Sequence, residues 1–538
     1  MFKKIKEFFR VLGELKYIIP LLKYKFPDPD DNESLAHSFE KTVEEFGNNN
    51  FIFFEDESWS YSETNKAANS LANKLIEDGV THSDRVVLFM ENRPDFIISI
   101  LALNKIGAIG VLINTSLTGK PLIHCINSSD SKKCIVGAEL AASLEAVLDE
   151  INIKDKEDIY WVEDGDRFIC PEWALSLKPL LDDSKDENLA ITNMVTAKDT
   201  AFYIFTSGTT GVPKAALFPN SKIIAASINI SKGGYRINDS DCMYNCLPLY
   251  HSTGLMLGLC ACVQVGAATF IRRKFSASAF WKEAKQFNTT AFVYVGELCR
   301  YLSFQDPSEE EKDNPISSMV GNGLRPDLWD CFRNRFNVER IIEIYGASEG
   351  NALFMNLLNK DETIGMTNAR VALFEYDVAE DKLVRDTESK FIEVDEGQPG
   401  LLLVEIGPDA IYNGYTDKKA SEEKVISNVF EEGDRWFNTG DLVKTMNVGF
   451  SLGRTHYQFV DRVGDTFRWK SENVSTNEVA EILNAFDQVN MANVFGVKVP
   501  QSEGRAGMVA FNCNLDDFKW DEFAEFVSIK LPSYAQPV

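Results

Sequence analysis

The stretch TSGTTGVPK, residues 206–214, carries several groups that could bind phosphate. It combines one Ser, three Thr and one Lys with two glycines, directly after the apolar run AFYIF. Hydroxyl and ammonium groups donate hydrogen bonds, and glycine lets backbone N–H groups approach an anion. The stretch is not a Walker A loop, because Pro213 stands five residues after Gly208, where that pattern has glycine. The alternative is a turn between the strands FYIF and AALF, but the density of donors favours a phosphate site.

Three further stretches bear on this site. GNGLR has glycines that let the backbone approach a ligand closely. EIYGASEGN places Tyr345, Ser348 and Glu349 just beyond an apolar run, at the carboxyl end of a predicted strand. Ligands of open α/β sheets bind at such ends. WFNTGDL offers Asp441, whose carboxylate could bind both hydroxyls of a ribose.

The pattern of apolar runs predicts the elements that must position these residues. Short β-rich runs alternate with helical patterns to about residue 400, namely RVVLFM, AIGVLIN, KKCIVG, AFYIF, TAFVYV and RIIEIYG. Strands separated by helices indicate α/β architecture with parallel sheets. From about Asp461 a hairpin, two strands and two helices follow. The prediction is a large N-terminal domain of parallel sheets with helices, residues 28–460, and a smaller α+β C-terminal domain, residues 461–538.

The first 27 residues differ from the rest of the chain. They hold seven Lys or Arg against two Glu, whereas the whole chain carries a net charge of −26. Apolar residues recur in them at helical spacing until Pro20 disturbs the pattern: Phe2, Ile5, Phe9, Leu12, Leu15, Ile19 and Leu22. Two interpretations stay open, an amphipathic helix in a membrane interface and a surface helix docked on the protein. The segment lacks the cleavage site of a signal peptide.

Other features of the composition limit the function. A net charge of −26 argues against a general nucleic-acid binder. The apolar runs FIISILALNKIGAIGVLIN and GLMLGLCACVQVGAATFI are interpreted as a buried helix followed by a buried strand, so no spanning helix is expected. The ten cysteines are expected to be free thiols in a reducing compartment, and the five histidines lack metal-ligand spacing.

Taken in order, the motifs TSGTTGxPK, GNGLR, YGxSE, TGD and DRxGD are very specific. They resemble the AMP-forming acyl-CoA synthetases of the adenylate-forming superfamily, from about residue 50 to the last residue. CLPLYHSTG, RRKFSASAFW, VGELCRYL, DTFRWKSENVST and VPQSEGRAGM are similar to the very-long-chain acyl-CoA synthetases, also called fatty acid transport proteins. The resemblance implies that ATP activates a fatty acid as acyl-adenylate, that CoA then takes the acyl group, and that pyrophosphate and AMP are released.

The resemblance also implies roles for individual residues toward ATP and Mg²⁺. The phosphates would be held by Thr206, Ser207, Gly208, Thr209, Thr210, Gly211 and Lys214. Glu349 would bind Mg²⁺, and Ser348, where many relatives have Thr, would bind the α-phosphate. Tyr345 would stack on adenine beside Gly346, with Gly321 and Gly323 on the opposite side. Asp441 would bind the ribose, and Arg462 would reach the same region.

The resemblance implies a second set of site residues, which would bind the acyl substrate and CoA. It comprises Tyr250, His251, Gly254, Tyr294, Gly296 and Ser471. His251 would orient the acyl carboxylate, and with Thr206, Lys214 and Glu349 it completes the expected catalytic group. Ser471 stands where relatives have Gly, at the wall of the channel for the pantetheine arm of CoA. Relatives also carry a further strand and a lysine that bridges carboxylate and α-phosphate. No residue of this sequence matches that lysine, which predicts a truncated C-terminal domain and slow adenylation.

Two alternatives to a fatty acid–CoA ligase stay open at this point. One is an acyl-AMP ligase that transfers the acyl group to a carrier protein. The other is a catalytically weak, membrane-associated protein that binds or transports fatty acids. In each case the expected location is the cytoplasm or the cytoplasmic side of a membrane, with peripheral attachment and no secretion.

Overall fold

The computed structural model describes most of the chain. The described residues are 2–165, 168–181, 184–207, 213–346, 350–378, 380, 382–407, 410–412, 414–463, 466–469, 472–499, 505–515, 517–533 and 535–537.

The helices follow the predicted alternation with strands. They are α1 (Phe2–Leu22), α2 (Leu35–Phe46), α3 (Tyr61–Glu77), α4 (Pro94–Lys105), α5 (Gly119–Ser128), α6 (Ala141–Glu145), α7 (Leu177–Leu181), α8 (Asn220–Ile228), α9 (Cys260–Val263), α10 (Ala277–Gln286), α11 (Gly296–Ser303), α12 (Glu309–Lys312), α13 (Pro326–Asp330), α14 (Lys418–Glu422), α15 (Thr476–Asn484) and α16 (Trp520–Lys530). Three π-helical segments cover Asn229–Tyr235, Thr253–Leu259 and Cys331–Arg335, and short 3₁₀ turns cover Ala138–Leu140, Leu148–Glu150, Lys156–Asp158 and Ala190–Met194.

The strands are β1 (Asn50–Phe54), β2 (Glu57–Ser60), β3 (Arg85–Phe89), β4 (Ile109–Leu112), β5 (Lys133–Gly137), β6 (Ile159–Val162), β7 (Leu175–Ser176), β8 (Thr200–Ser207), β9 (Pro213–Pro219), β10 (Cys242–Asn245), β11 (Ala268–Ile271), β12 (Ala291–Val295), β13 (Ser318–Asn322), β14 (Arg340–Tyr345), β15 (Phe354–Met355), β16 (Val371–Phe374), β17 (Tyr376–Asp377), β18 (Lys382–Leu383), β19 (Gly400–Glu405), β20 (Val425–Ser427), β21 (Arg435–Met446), β22 (His456–Arg462), β23 (Phe467–Trp469), β24 (Glu472–Val474), β25 (Met491–Val497) and β26 (Ala506–Asn512).

Two largely parallel sheets form the N-terminal domain. The first has the order β7-β6-β5-β3-β4-β8-β9 and the second β15-β14-β13-β12-β10-β11-β1-β2, with antiparallel strands only at their edges among the described pairings. Both are rich in buried aliphatic side chains, because helices or the other sheet cover both faces. The largest apolar core joins α2, α3 and α4 with both sheets. This confirms the predicted α/β class and the strands at all six apolar runs.

A third sheet was not foreseen from the sequence. Strands β16, β19, β21 and β20 pair antiparallel, and β22 extends the sheet along β21. Few helical residues separate these strands, so the chain returns through short connections, which antiparallel pairing permits. The sheet ends at Arg462, where the smaller domain follows.

The smaller C-terminal domain has its own apolar core. The hairpin β23–β24, the hairpin β25–β26 and the helices α15 and α16 surround Phe467, Leu483, Val494 and Phe523. These are the hairpin, strands and helices expected after Asp461. The exact boundaries at residues 27 and 460 stay a prediction.

Helix α1 is docked on the N-terminal domain along one face. Val11, Ile18 and Leu21 are buried. Glu14 is buried with them and accepts a hydrogen bond from Arg340 (Nη1–Oε2, 2.8 Å). Pro20 does not end the helix, which continues to Leu22, because a proline in the last turn removes a single backbone hydrogen bond. The helix is therefore docked, but through this set of residues and not through the apolar stripe found in the sequence, most of which is exposed.

The two long apolar runs fold as expected. The first forms α4 and β4, and the second forms the π-helical segment Thr253–Leu259, α9 and β11. None of the helices in the described part of the chain has the length and apolar character that a membrane span requires. All ten cysteines are free thiols, and most are buried.

Candidate active site

A cavity of about 1770 Å³ lies where β8, β13 and β14 end. The C-terminal domain contributes Asn477 and Glu481 to its wall. Seven residues singled out from the sequence line it: Thr206, His251, Gly323, Tyr345, Gly346, Asp441 and Arg462. Motifs separated by more than two hundred residues therefore meet at the carboxyl ends of parallel strands, where ligands of such sheets bind.

Asp441 contacts both Tyr345 and Arg462 directly. The Tyr345 hydroxyl donates to Asp441 Oδ2 at 2.6 Å, and Arg462 Nε lies 3.3 Å from Asp441 Oδ1. Asp441 and Arg462 are opposite each other in the pairing of β21 and β22, which explains the second contact. Burial, with the neighbouring Asp441 carboxylate, raises the pKa of Tyr345. Asp441 is thus held in a fixed orientation at the cavity wall.

Thr206 and Lys214 flank the predicted phosphate loop. They are opposite each other in the antiparallel pair β8–β9, which confirms that strands precede and follow the loop. Thr206 Oγ1 is buried and has no hydrogen-bond partner among the described residues. Since buried polar atoms are normally paired, this hydroxyl fits an acceptor such as a phosphate oxygen. Lys214 Nζ lies 5.8 Å from the centre of the Tyr415 ring.

His251 and Tyr250 follow β10 on a turn. The two ring centroids are 5.4 Å apart. His251 faces the cavity, and desolvation by the surrounding protein lowers the pKa of its imidazole. Each ring nitrogen of a neutral imidazole can donate or accept a hydrogen bond, depending on the tautomer. Gly254 lies just beyond, in the π-helical segment, where its carbonyl accepts from Asn245 Nδ2 at 2.9 Å.

The remaining described candidates form a close-packed layer behind this wall. Gly321 is opposite Tyr294 in the pair β12–β13, and a Cβ at Gly321 would lie 2.1 Å from the Tyr294 carbonyl oxygen. A Cβ at Gly296 would lie 1.7 Å from the Gly323 carbonyl oxygen. Any larger residue would push these strands and loops apart. The glycines thus permit close backbone contact next to the cavity.

Glu343 is a cavity-lining carboxyl group that no sequence pattern had singled out. It is buried on β14 and accepts hydrogen bonds from the Tyr294 hydroxyl at 2.5 Å and from Leu324 N at 3.1 Å. Burial raises its pKa to about 8, although both hydrogen bonds act in the opposite direction. The one available signal was a single acid inside the apolar run RIIEIYG.

Contacts that position α15 lie next to the cavity. Asp461 is buried at the end of β22 and accepts from Thr476 N at 2.8 Å and Asn477 Nδ2 at 2.8 Å, at the start of α15. Arg325 Nε lies 3.9 Å from Glu481 Oε1. Through these contacts α15 is held beside the cavity, to whose wall it contributes Asn477 and Glu481.

Several predicted site residues lie outside the described part of the chain. They are Gly208, Thr209, Thr210, Gly211, Ser348, Glu349 and Ser471, and for Ser207 only the backbone is described. Their predicted roles remain predictions.

Comparison with known proteins gives a consistent result. The model of the family described as AMP-binding enzyme matches residues 39–416. A medium/long-chain-fatty-acid–CoA ligase, FadD6 of Mycobacterium tuberculosis, is 37% identical over 511 residues, which cover 95% of this chain and 82% of the relative. Long-chain fatty acid transport protein 6 of Mus musculus is 38% identical over 502 residues, which cover 91% of this chain and 78% of the relative.

Solved structures agree with the fold. The anthranilate CoA ligase AuaEII, in complex with anthranoyl-AMP, superposes with a TM-score of 0.77 at 18% identity, covering 96% of this chain and 93% of the other. A fatty acyl CoA synthetase of Mycobacterium tuberculosis superposes with a TM-score of 0.65 at 19% identity, covering 94% of this chain and 93% of the other. At this level of identity the likeness supports the architecture alone.

Proposed function

We propose an activity for this chain from its family: the chain belongs to the AMP-binding enzyme family, in the branch of the fatty-acid–CoA ligases and fatty acid transport proteins. It activates long-chain fatty acids with ATP and transfers the acyl group to CoA. The observation that carries the proposal is the single cavity on which Thr206, His251, Tyr345, Asp441 and Arg462 converge.

The residues of the cavity suit the two half-reactions. In the first, a carboxylate oxygen of the fatty acid attacks the α-phosphorus of ATP, the bond to the β-phosphate breaks, and pyrophosphate leaves. In the second, the CoA thiolate attacks the acyl carbon and AMP leaves. Asp441 accepts hydrogen bonds from the ribose hydroxyls, while Arg462 places a positive charge nearby. The Thr206 hydroxyl donates to a phosphate oxygen, and the His251 imidazole on the cavity wall donates to the acyl carboxylate.

Glu349 is the one residue that we propose as a ligand of Mg²⁺. A carboxylate oxygen is a ligand that Mg²⁺ prefers, and the bound ion would neutralise charge on the departing pyrophosphate. Because Glu349 lies outside the described residues, we assign no further role through the ion.

The purified protein is expected to exchange labelled pyrophosphate into ATP only when palmitate and Mg²⁺ are present, at the slow rate that the sequence predicts, and to form palmitoyl-CoA when CoA is added. Thr206→Val keeps the shape of the side chain but removes the hydroxyl, and it should slow exchange about tenfold or more. The exchange assay checks the adenylation step, and mass spectrometry of the products checks the formation of palmitoyl-CoA. Exchange without palmitoyl-CoA would favour transfer to a carrier protein, and absence of exchange with every fatty acid would contradict the proposal.

We further propose that the outer face of α1 attaches the protein to an anionic lipid surface. Ile5, Phe9, Leu12, Ile19 and Leu22 are exposed on this face, and Phe9 and Leu22 are 65% and 64% exposed. The first 27 residues are basic, whereas the chain as a whole carries −26. Attraction of the basic residues to anionic lipid would bring the apolar face into contact with the acyl chains.

The double variant Phe9→Ser, Leu22→Ser is expected to bind phosphatidylserine-containing vesicles about tenfold more weakly, because it removes apolar surface from the interface. Co-sedimentation measures the binding. Ile529→Ser is the matched control, since Ile529 is 71% exposed but lies in the C-terminal domain. Equal binding of the double variant and the unchanged protein would refute attachment through α1.

A further inference from the structure

His124 contacts the strand that follows the predicted phosphate loop, although it is not among the described residues that line the cavity. It is half-buried on α5, and three of its neighbours on that helix, Leu122, Cys125 and Ile126, are buried in an apolar core. Its Nε2 lies 3.0 Å from the carbonyl oxygen of Pro213. Because a carbonyl oxygen can only accept, Nε2 carries the hydrogen and donates, whether the ring is neutral or charged.

This hydrogen bond is made at the point where the described part of the loop's stem ends. Pro213 is the first residue of β9 and is opposite Ser207, the last residue of β8. A proline has no N–H, so only its carbonyl can take part in backbone hydrogen bonding. In addition, β9 is the edge strand of its sheet, and the carbonyls on its outer side need partners from other elements. His124 is such a partner.

A second hydrogen bond holds the same strand two residues further on. Thr416 N donates to the carbonyl oxygen of Ala215 at 3.0 Å. Carbonyls two residues apart point to the same side of a strand, so Pro213 and Ala215 are anchored on one side of β9. Lys214 lies between them and is opposite Thr206 in the pairing with β8. The backbone of Lys214 is therefore held from both sides of its strand.

We propose that His124 is a positioning residue for adenylation, which holds Pro213 and the adjacent Lys214 in place for the phosphates of ATP through its hydrogen bond to the Pro213 carbonyl. The inference rests on the proposed fatty-acid activity, to which it adds a residue and the half-reaction that depends on it. The β- and γ-phosphates take part only in adenylation and its reversal. Transfer of the acyl group from acyl-adenylate to CoA involves neither of them, so it does not depend on His124.

Two replacements of His124 separate the hydrogen bond from the presence of a polar side chain. In His124→Gln the amide N–H₂ lies close to the position of Nε2, whereas the shorter side chain of His124→Asn places it near Nδ1, out of reach of Pro213. His124→Asn is expected to lower kcat/KM for ATP in palmitate-dependent exchange about tenfold, and His124→Gln should stay within about threefold of the unchanged protein. Transfer from supplied palmitoyl-adenylate to CoA should stay within about twofold for both variants.

His37→Gln is the matched control. His37 also bonds a backbone carbonyl, with Nδ1 2.8 Å from the Asn32 oxygen, but it lies on α2 and is not among the described residues that line the cavity. The longer amide side chain moves the donor away from Asn32, so this variant loses a hydrogen bond of the same kind at another place. Its exchange and its transfer activity should match those of the unchanged protein.

The outcomes separate the role of His124 from the activity itself. A loss of exchange in His124→Asn that is much smaller in His124→Gln, with normal transfer in both, supports the role. Equal exchange in the two variants, or an equal loss of exchange and transfer, overturns it while the proposed function stands. If the unchanged protein shows no exchange with any fatty acid, the proposed function fails and the role of His124 fails with it. If His124→Asn does not fold, His124→Leu, which also lacks a donor, takes its place in the comparison.

Discussion

Replacing Asp441 by Asn is expected to lower kcat/KM for ATP about 10²-fold in palmitate-dependent exchange, because the ribose loses charge-assisted hydrogen bonds of about 1.5–3 kcal/mol. The Tyr345 hydroxyl and Arg462 hold the carboxylate in place, so the native geometry is already set before ATP binds. The effect should fall mainly on KM for ATP, since the interaction is made in the ground state as well as the transition state.

Two further variants test whether the loss of ATP affinity comes from the Asp441 carboxylate. Tyr345→Phe removes the hydroxyl that orients Asp441 but keeps the aromatic ring, and it should cause a smaller loss, about tenfold or less. Glu422→Gln changes an acid that is largely exposed and paired with Arg435, so its kinetics should match those of the unchanged protein. A normal KM for ATP in Asp441→Asn would show that the ribose binds elsewhere.

Stability is expected to fall as the pH rises from about 5 to about 8, and Glu343 should be the main cause. In the folded protein burial raises the pKa of Glu343 to about 8, against an ordinary value of 4.5. Between these two values the folded state keeps the proton and the unfolded state has lost it. Because the folded state binds more protons, its stability decreases with increasing pH, by up to about 1.4 kcal/mol per pH unit for one group.

Glu343→Gln should remove this dependence, because the amide is a neutral group of the same shape. With its single oxygen at the position of Oε2, it can still accept from the Tyr294 hydroxyl, and Leu324 N lies 3.3 Å from that position. The free energy of unfolding, measured with denaturant at pH 5, 6, 7 and 8, should be nearly constant for the variant relative to the unchanged protein. Glu405→Gln, at an acid paired with Arg370, should keep the original slope. Parallel pH curves for the unchanged protein and Glu343→Gln would contradict a protonated Glu343.

The sequence by itself determined the α/β class, the positions of the parallel strands and the order of the motifs. These features follow from local patterns, since a short run such as RIIEIYG, with three isoleucines, favours a buried strand. The rule that ligands bind at the carboxyl ends of parallel strands then brought Thr206 and Tyr345 to one site. Chemistry at single residues, such as a carboxylate for ribose at Asp441, could also be inferred without a structure.

Only the tertiary structure decided how these residues are held and which others join them. The contact between Tyr345 and Asp441 spans 96 positions of the chain, and the contact between Glu14 and Arg340 spans 326. Sequence spacing carries no information on such pairs. The same is true of the burial that raises the pKa of Glu343 and of the two different faces of α1. Burial is a property of all the surrounding elements together, so the pKa of a buried carboxyl and the shape of a cavity are settled only when those elements pack.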